Sequence, residues 1–192
     1  MKTGLFFGSF NPIHIGHLII AGYFTQFSDI KQVWFVVSPH NPLKNKETLA
    51  ADHHRLNMVK LAIDDNPALR ASDIEFGLPQ PSYTVNTLAY LREKYPRKEF
   101  VLIMGGDNLE TFHKWKNYQD ILHYHSIYVY NRPDSNTSAF ATHPKVKLFD
   151  APLMKISSSF IRQAITEKRD IKYLVNDKVA AYIEDMMLYG GK

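Results

Sequence analysis

Apolar residues fall into short runs broken by polar, turn-forming stretches, and two spacings recur along the chain. Runs of β-prone residues predict strands at about 3–7, 33–37, 69–72, 100–104, 126–130 and 145–148. Between most of them, apolar positions three and four apart predict helices at about 17–26, 52–64, 84–94 and 107–122. The runs VWFVV (33–37), FVLIM (100–104) and SIYVYN (126–131) are apolar without strict alternation, the mark of strands covered on both faces. Alternation of such strands with helices predicts an α/β fold, a mostly parallel sheet with helices on both faces. Asp52, Thr84 and Asn176 stand where helix N-caps are expected, the last ahead of Val179, Tyr182, Ile183 and Met186. Residues 131–144, NRPDSNTSAFATHP, carry no periodicity and read as a mobile surface loop.

Composition narrows the class. A chain of 192 residues suits one domain over 1–192, with a small C-terminal helical portion at about 155–192. Its 45% hydrophobic and 22% charged content is ordinary for a globular protein. The net charge of +4 permits an anionic ligand, but the basic residues are scattered, so no nucleic-acid partner is expected. Absence of cysteine excludes disulfides, thiolate nucleophiles and cysteine-held metal clusters. The amino terminus MKTGLFFGSF is too short an apolar run for a signal peptide. No stretch approaches the roughly 20 apolar residues of a membrane span. A cytoplasmic protein without a membrane partner is expected, its oligomeric state open, a homo-oligomer included.

Two segments carry candidate chemistry. In GSFNPIHIGH (8–17), turn formers end the first strand, and Ile15, Leu18, Ile19, Gly22 and Tyr23 begin a helix near Gly16. Gly8 and Ser9 let a backbone approach phosphate, Pro12 stiffens the turn, and Gly16 leaves room beside His14 and His17. Ligands bind at such strand ends in open α/β sheets, and helix N-termini favour anions. Nothing nearby supplies a third ligand for a metal on the two imidazoles, so no protein-held metal is expected. Late in the chain, ISSSFIR (156–162) runs hydroxyl-rich into a helix. There Ser158 and Arg162, four apart, share one face. The two segments could close on opposite sides of one triphosphate.

Together they resemble the nucleotidylyltransferase superfamily, marked by HxGH after the first strand and an ISSSxxR-like helix. Within it the chain is similar to nicotinate mononucleotide adenylyltransferases through GSFNPIHIGH (8–17), PHNPLK (39–44), PSYT (81–84), GGDNLETFHKW (105–115), NRP (131–133) and ISSSFIR (156–162). The resemblance implies a Rossmann-like fold and transfer of AMP from ATP to nicotinate mononucleotide. It implies that His14, His17 and Arg162 are catalytic, His17 lying nearest the α-phosphate. Gly8, Ser9 and Phe10 of the first loop, Gly105, and Ile156, Ser157 and Ser158 would line the ATP site. Asp107 would take the ribose hydroxyls, and Arg132 would flank the adenine. Lys44, Tyr83, Thr84 and Trp115 would bind nicotinate mononucleotide, the tryptophan stacking on its cationic ring and Tyr83 and Thr84 offering backbone N–H groups to its carboxylate. Mg2+ is implied as an ion held mainly by ATP phosphates and water. The family's usual aspartate at position 11 is Asn11 here, which puts any role for a negative charge there in question. The alternatives are a small adenylyltransferase with nicotinamide mononucleotide or phosphopantetheine as acceptor, and a silent nucleotide-binding regulator. A tRNA synthetase fragment would share HIGH, but the lysine-rich loop expected with it is missing.

Overall fold

The computed structural model describes residues 1–39, 49–130, 140–152 and 154–190. Six strands, β1 (Lys2–Gly8), β2 (Ile30–Val37), β3 (Leu69–Ser72), β4 (Glu99–Gly105), β5 (Ser126–Tyr130) and β6 (Val146–Phe149), form one sheet. Its order is β3-β2-β1-β4-β5-β6, and every neighbouring pair is parallel. Order reverses between β1 and β4, so the chain leaves their carboxyl ends toward opposite flanks and opens a crevice there.

Strand alternation builds a core on each face. Phe6, Phe35 and Val37 point to one side, with α1 (Ile15–Phe27), α2 (Asp52–Ile63), α6 (Ser158–Thr166) and α7 (Asp177–Asp185) packed over them. Leu5, Trp34, Val36 and Leu102 point to the other, under α3 (Thr84–Lys94), α4 (Gly106–Glu110) and α5 (Tyr118–Tyr124). Burial on both sides is why 33–37 reads as an unbroken apolar run. The C-terminal helices join the first core through Ile161, Ala164, Val179 and Ile183, and Ile15 N–H donates to Leu174 O at 3.0 Å.

All six expected strands and the expected sheet are present, with small boundary differences. The helix expected over 107–122 is broken in three. α4 stops at Thr111, a 3-10 turn covers Phe112–Lys114, and α5 begins only after Asn117, whose φ of 49° is left-handed. Asparagine tolerates that conformation, and the interruption lets buried Phe112 anchor the turn while Trp115 swings outward. Two expected N-caps move by one residue. Ala51 stands at the N-cap position of α2 with no side-chain cap, Asp52 Oδ1 accepting instead from the Arg55 guanidinium, and Tyr83 precedes Thr84 at α3. Asn176 does cap α7, accepting Lys178 N–H at 2.9 Å, worth about 1 kcal/mol. Most of the loop 131–144, with NRP and Arg132, and most of PHNPLK, with Lys44, lie outside the described residues.

Candidate active site

A cleft of about 1410 Å³ opens over the carboxyl ends of β1 and β4. Gly8, Ser9, Phe10, His14 and His17 line one wall, Gly105 and Trp115 another, Tyr83 and Thr84 a third, and Ile156, Ser157, Ser158 and Arg162 the last. Every described candidate residue except Asp107 therefore borders one space.

The first loop turns sharply. Phe10, almost fully buried, adopts φ 45°, which costs an aromatic residue roughly 1–2 kcal/mol. Its ring repays this by packing edge-on against His17 at 5.1 Å and Phe35 at 5.4 Å. His14 then caps α1 and lies stacked on His17, ring centroids 3.7 Å apart. The His14 backbone N–H donates to His17 Nδ1 at 3.2 Å. An Nδ1 that accepts leaves the proton of neutral His17 on Nε2, the nitrogen at the far edge of the ring. His17 is thereby set as a donor whose direction the helix start fixes.

The second segment docks on the first. Ser158 Oγ donates to Pro12 O at 2.8 Å, and Arg162 Nη1 donates to Asn11 O at 2.8 Å. Gly16 makes the approach possible, since a Cβ there would stand 2.8 Å from Ile156 Cγ2. Ser157 caps α6, its hydroxyl accepting Phe160 N–H at 3.2 Å, so the plain capping use of a serine run is realised. Arg162 Nη2 reaches Ser159 Oγ at 3.4 Å, and the guanidinium and the start of α6 line the same cleft as the histidines, both groups that favour anions.

On the far wall, Asn86 and Thr87 N–H groups bond to Tyr83 O, so those of Thr84 and Val85 precede the first intrahelical bond of α3. Lys116 Nζ sits 4.2 Å over the Tyr83 ring. Trp115 is half-buried on the cleft wall, whereas Trp34 is the core tryptophan. Asp107 is exposed and does not line the cleft. It does not cap α4 either, a position held by Gly105. Its carboxylate folds back over Gly105, where a Cβ would meet Oδ1 at 2.5 Å.

Several residues that organise the cleft escape a reading of the sequence. Arg55 is wholly buried and donates to Ser9 O at 2.6 Å, Ser38 O at 2.7 Å and Ala50 O at 3.0 Å, tying the first loop to the exit of β2. A signal existed, because Arg55 shares the buried face of α2 with Met58, Val59, Ala62 and Ile63. Glu75, also buried and on the cleft wall, accepts the Thr87 hydroxyl at 2.7 Å. Burial raises its carboxyl above the usual range, against the opposing pull of its hydrogen bonds from Thr87 and Ser38. Among the described residues, no three His, Asp or Glu gather as a metal site would require.

A parallel sheet in this order, with an HxGH turn and a serine–arginine helix meeting over its switch point, defines a nucleotide-binding α/β protein. The chain belongs to the cytidylyltransferase-like family, whose model matches residues 5–164. Among curated relatives, one from Flavobacterium psychrophilum is 56% identical over 98% of this chain and 99% of its own length. Another, from Flavobacterium johnsoniae, is 54% identical over the same shares. Both carry the name "probable nicotinate-nucleotide adenylyltransferase". Among solved structures, Plasmodium falciparum nicotinic acid mononucleotide adenylyltransferase complexed with NaAD superposes with a TM-score of 0.82. It is 22% identical and covers 98% of this chain and 97% of its own, a likeness of fold. The resemblance read from the motifs is borne out. No helix among the described residues is long and apolar enough to cross a membrane.

Proposed function

We propose that this chain is a nicotinate-nucleotide adenylyltransferase, transferring AMP from ATP to nicotinate mononucleotide to give nicotinate adenine dinucleotide and pyrophosphate. The observation that carries the proposal is the docking of α6 on the histidine loop, with Arg162 Nη1 on Asn11 O and Ser158 Oγ on Pro12 O. It gathers imidazole, guanidinium and helix-terminal N–H donors at one end of a cleft with room for two nucleotides. The names of the full-length relatives support the same substrates.

An oxygen of the acceptor's 5′-phosphate attacks the α-phosphorus of ATP, and the bond from that phosphorus to the β-phosphate bridge breaks. Pyrophosphate leaves with the bonding pair. A phosphate monoester, with a second pKa near about 6, is already mostly dianionic at neutral pH, so no general base is needed. The protein's task is alignment and stabilisation of the charge that grows on the triphosphate oxygens. His17 Nε2–H donates toward the α-phosphate, His14 supports the adjoining oxygens, and Arg162 with the start of α6 receives the β- and γ-groups. Ser158, whose hydroxyl proton is given to Pro12 O, contributes to the β and γ groups through its position at the helix start.

Gly8, Ser9 and Phe10 shape the floor, Gly105 gives close approach to the adenosine, and Asp107 serves the ribose from the rim. Trp115 stacks on the cationic pyridine ring, a contact worth about 1–2 kcal/mol. The Tyr83–Thr84 turn turns its free N–H groups on the carboxylate. Lys44 and Arg132 keep the roles given by resemblance, toward the incoming phosphate and the adenine. Among the described residues no carboxylates cluster, which fits Mg2+ that would be held by phosphate oxygens and water and would supply charge neutralisation there. A reaction drawing on ATP suits a cytoplasmic setting.

Pyrophosphate release tests this, with ATP and Mg2+ and nicotinate mononucleotide, its amide analogue or phosphopantetheine supplied in parallel. The expected result is fastest turnover with nicotinate mononucleotide. Turnover with phosphopantetheine alone would overturn the acceptor, and no turnover with any would leave a nucleotide-binding regulator.

A further inference from the structure

Asn11 stands where three distant segments meet. Its Oδ1 accepts Ala50 N–H at 3.1 Å and the Tyr189 hydroxyl at 2.7 Å, while its main-chain carbonyl accepts Arg162 Nη1 at 2.8 Å. Ala50 O is in turn held by Arg55, which also holds Ser9 O, so the residues on either side of Phe10 are fastened by one network. Tyr189 brings the C-terminal segment into it. Leu188 N–H closes the end of α7 on Ile183 O, and Thr166 Oγ1 of α6 shares its one proton between Arg162 O at 3.0 Å and Tyr189 O at 3.2 Å.

Geometry makes this contact more than an anchor for the chain end. Tyr189 adopts φ 62°, a conformation unfavourable for a bulky side chain, and the phenol is carried inward toward the Arg162 and Arg55 guanidinium groups. Burial pushes the phenol's pKa up against the pull of those two cations, so the hydroxyl keeps its proton and donates across the neutral range. The same α6 that supplies Arg162 holds the Tyr189 carbonyl, so loop, helix and C-terminal turn form a closed ring.

We propose that Tyr189 is a positioning residue for the triphosphate site, fixing through Asn11 the spacing between the histidine loop and Arg162. The proposal rests on reading the cleft as an ATP site. Loss of the hydroxyl leaves the ring's packing in place but frees one corner of the loop. The cost falls on alignment of the reacting phosphates, and the acceptor site is untouched.

Tyr189→Phe is compared with the wild type for Tm, kcat, both KM values and calorimetric affinity for a non-cleavable α,β-methylene ATP analogue. We expect Tm within about 3 °C of wild type, kcat lowered about tenfold, and analogue affinity weakened about fivefold. KM for nicotinate mononucleotide should stay within about twofold, since that site is elsewhere. In an Asn11→Ala background the Tyr189→Phe change should add no further loss, because its route is gone. Unchanged kcat and analogue affinity, a fall in Tm alone, or an undiminished loss in the Asn11→Ala background would each overturn the proposal. If the wild type turned over no acceptor, the proposed function would fall, and the analogue affinities would still decide the role of Tyr189.

Discussion

His17 and Arg162 reach the same place by different routes. The imidazole is aimed by a local bond, its Nδ1 engaged by the backbone three residues earlier, and the guanidinium by a bond spanning most of the chain. On the proposed reading His17→Ala removes one directed donor from the α-phosphate, together with the Nδ1 that accepts His14 N–H and the ring on which Phe10 packs. It should lower kcat about a hundred- to a thousand-fold, with a lowered Tm but a cooperative unfolding transition retained. Activity within a few-fold of wild type would take the catalytic role away from this loop. Asn11 shows what a single amide can replace. Its Oδ1 accepts two hydrogen bonds, as a carboxylate oxygen would, so the turn is held by an uncharged side chain. The histidines, Arg162 and the serines were legible because each sits in a short motif beside a predicted helix start. Asn11 as a crossing point and Tyr189 were not, because the groups they meet are brought near only by folding, and Arg55 showed only its place on the buried face of α2, since main-chain carbonyl partners leave no mark on residue type.

Elements place the donors. Two helix starts face the cleft, α3 behind Tyr83 and α6 behind Ser157, one suited to a carboxylate and the other to phosphates. Periodicity revealed both helices, and it failed over 107–122, where Leu109 with Phe112, and Tyr118 with Ile121 and Leu122, are spaced as in a helix although the backbone leaves the helix between them. That interruption puts Trp115 on the cleft wall, so the misread element is one that carries a residue of the candidate site.

The junction of α5 and β5 carries a titratable group. His125 is buried with Nδ1 3.1 Å from Phe100 O, and since a carbonyl only accepts, the neutral ring carries its proton on Nδ1. Burial lowers its pKa, the Phe100 bond resists, and Arg92 and Lys145 add to the fall. The unfolded chain therefore binds a proton the folded chain refuses. This stability is complete above the unfolded value of about 6.5 and is lost as pH falls through the folded value. Between pH 7.5 and 5.0, the wild-type Tm should drop more than that of His125→Gln, which cannot titrate. A difference of about 2–4 °C corresponds to about 1 kcal/mol in a chain of this size. Parallel Tm profiles would refute the assignment.

At the scale of the molecule, the sheet order creates the crevice and the C-terminal helices complete it. The alternation of strands and helices made the α/β class legible, and the long apolar runs made burial on both faces legible. The return of α6 and α7 to the first face was not, since it depends on apolar stripes finding α1 and α2 across more than a hundred residues. The same return carries Arg162 to Asn11 and Tyr189 to its amide. The amino ends of the strands are fastened separately, by Lys2 to Asp29 at 2.7 Å and the Tyr128 hydroxyl to Asp29 at 2.6 Å, far from the chemistry.

On the proposed function, imidazoles from the start of the chain and a guanidinium from near its end grasp one triphosphate. A crystal structure with a non-cleavable ATP analogue and Mg2+ measures it most directly. His17 Nε2 is expected within about 3 Å of an α-phosphate oxygen and an Arg162 nitrogen within about 3 Å of a β- or γ-oxygen of the same molecule. A triphosphate touching only one of the two groups, or seated away from both, would contradict it.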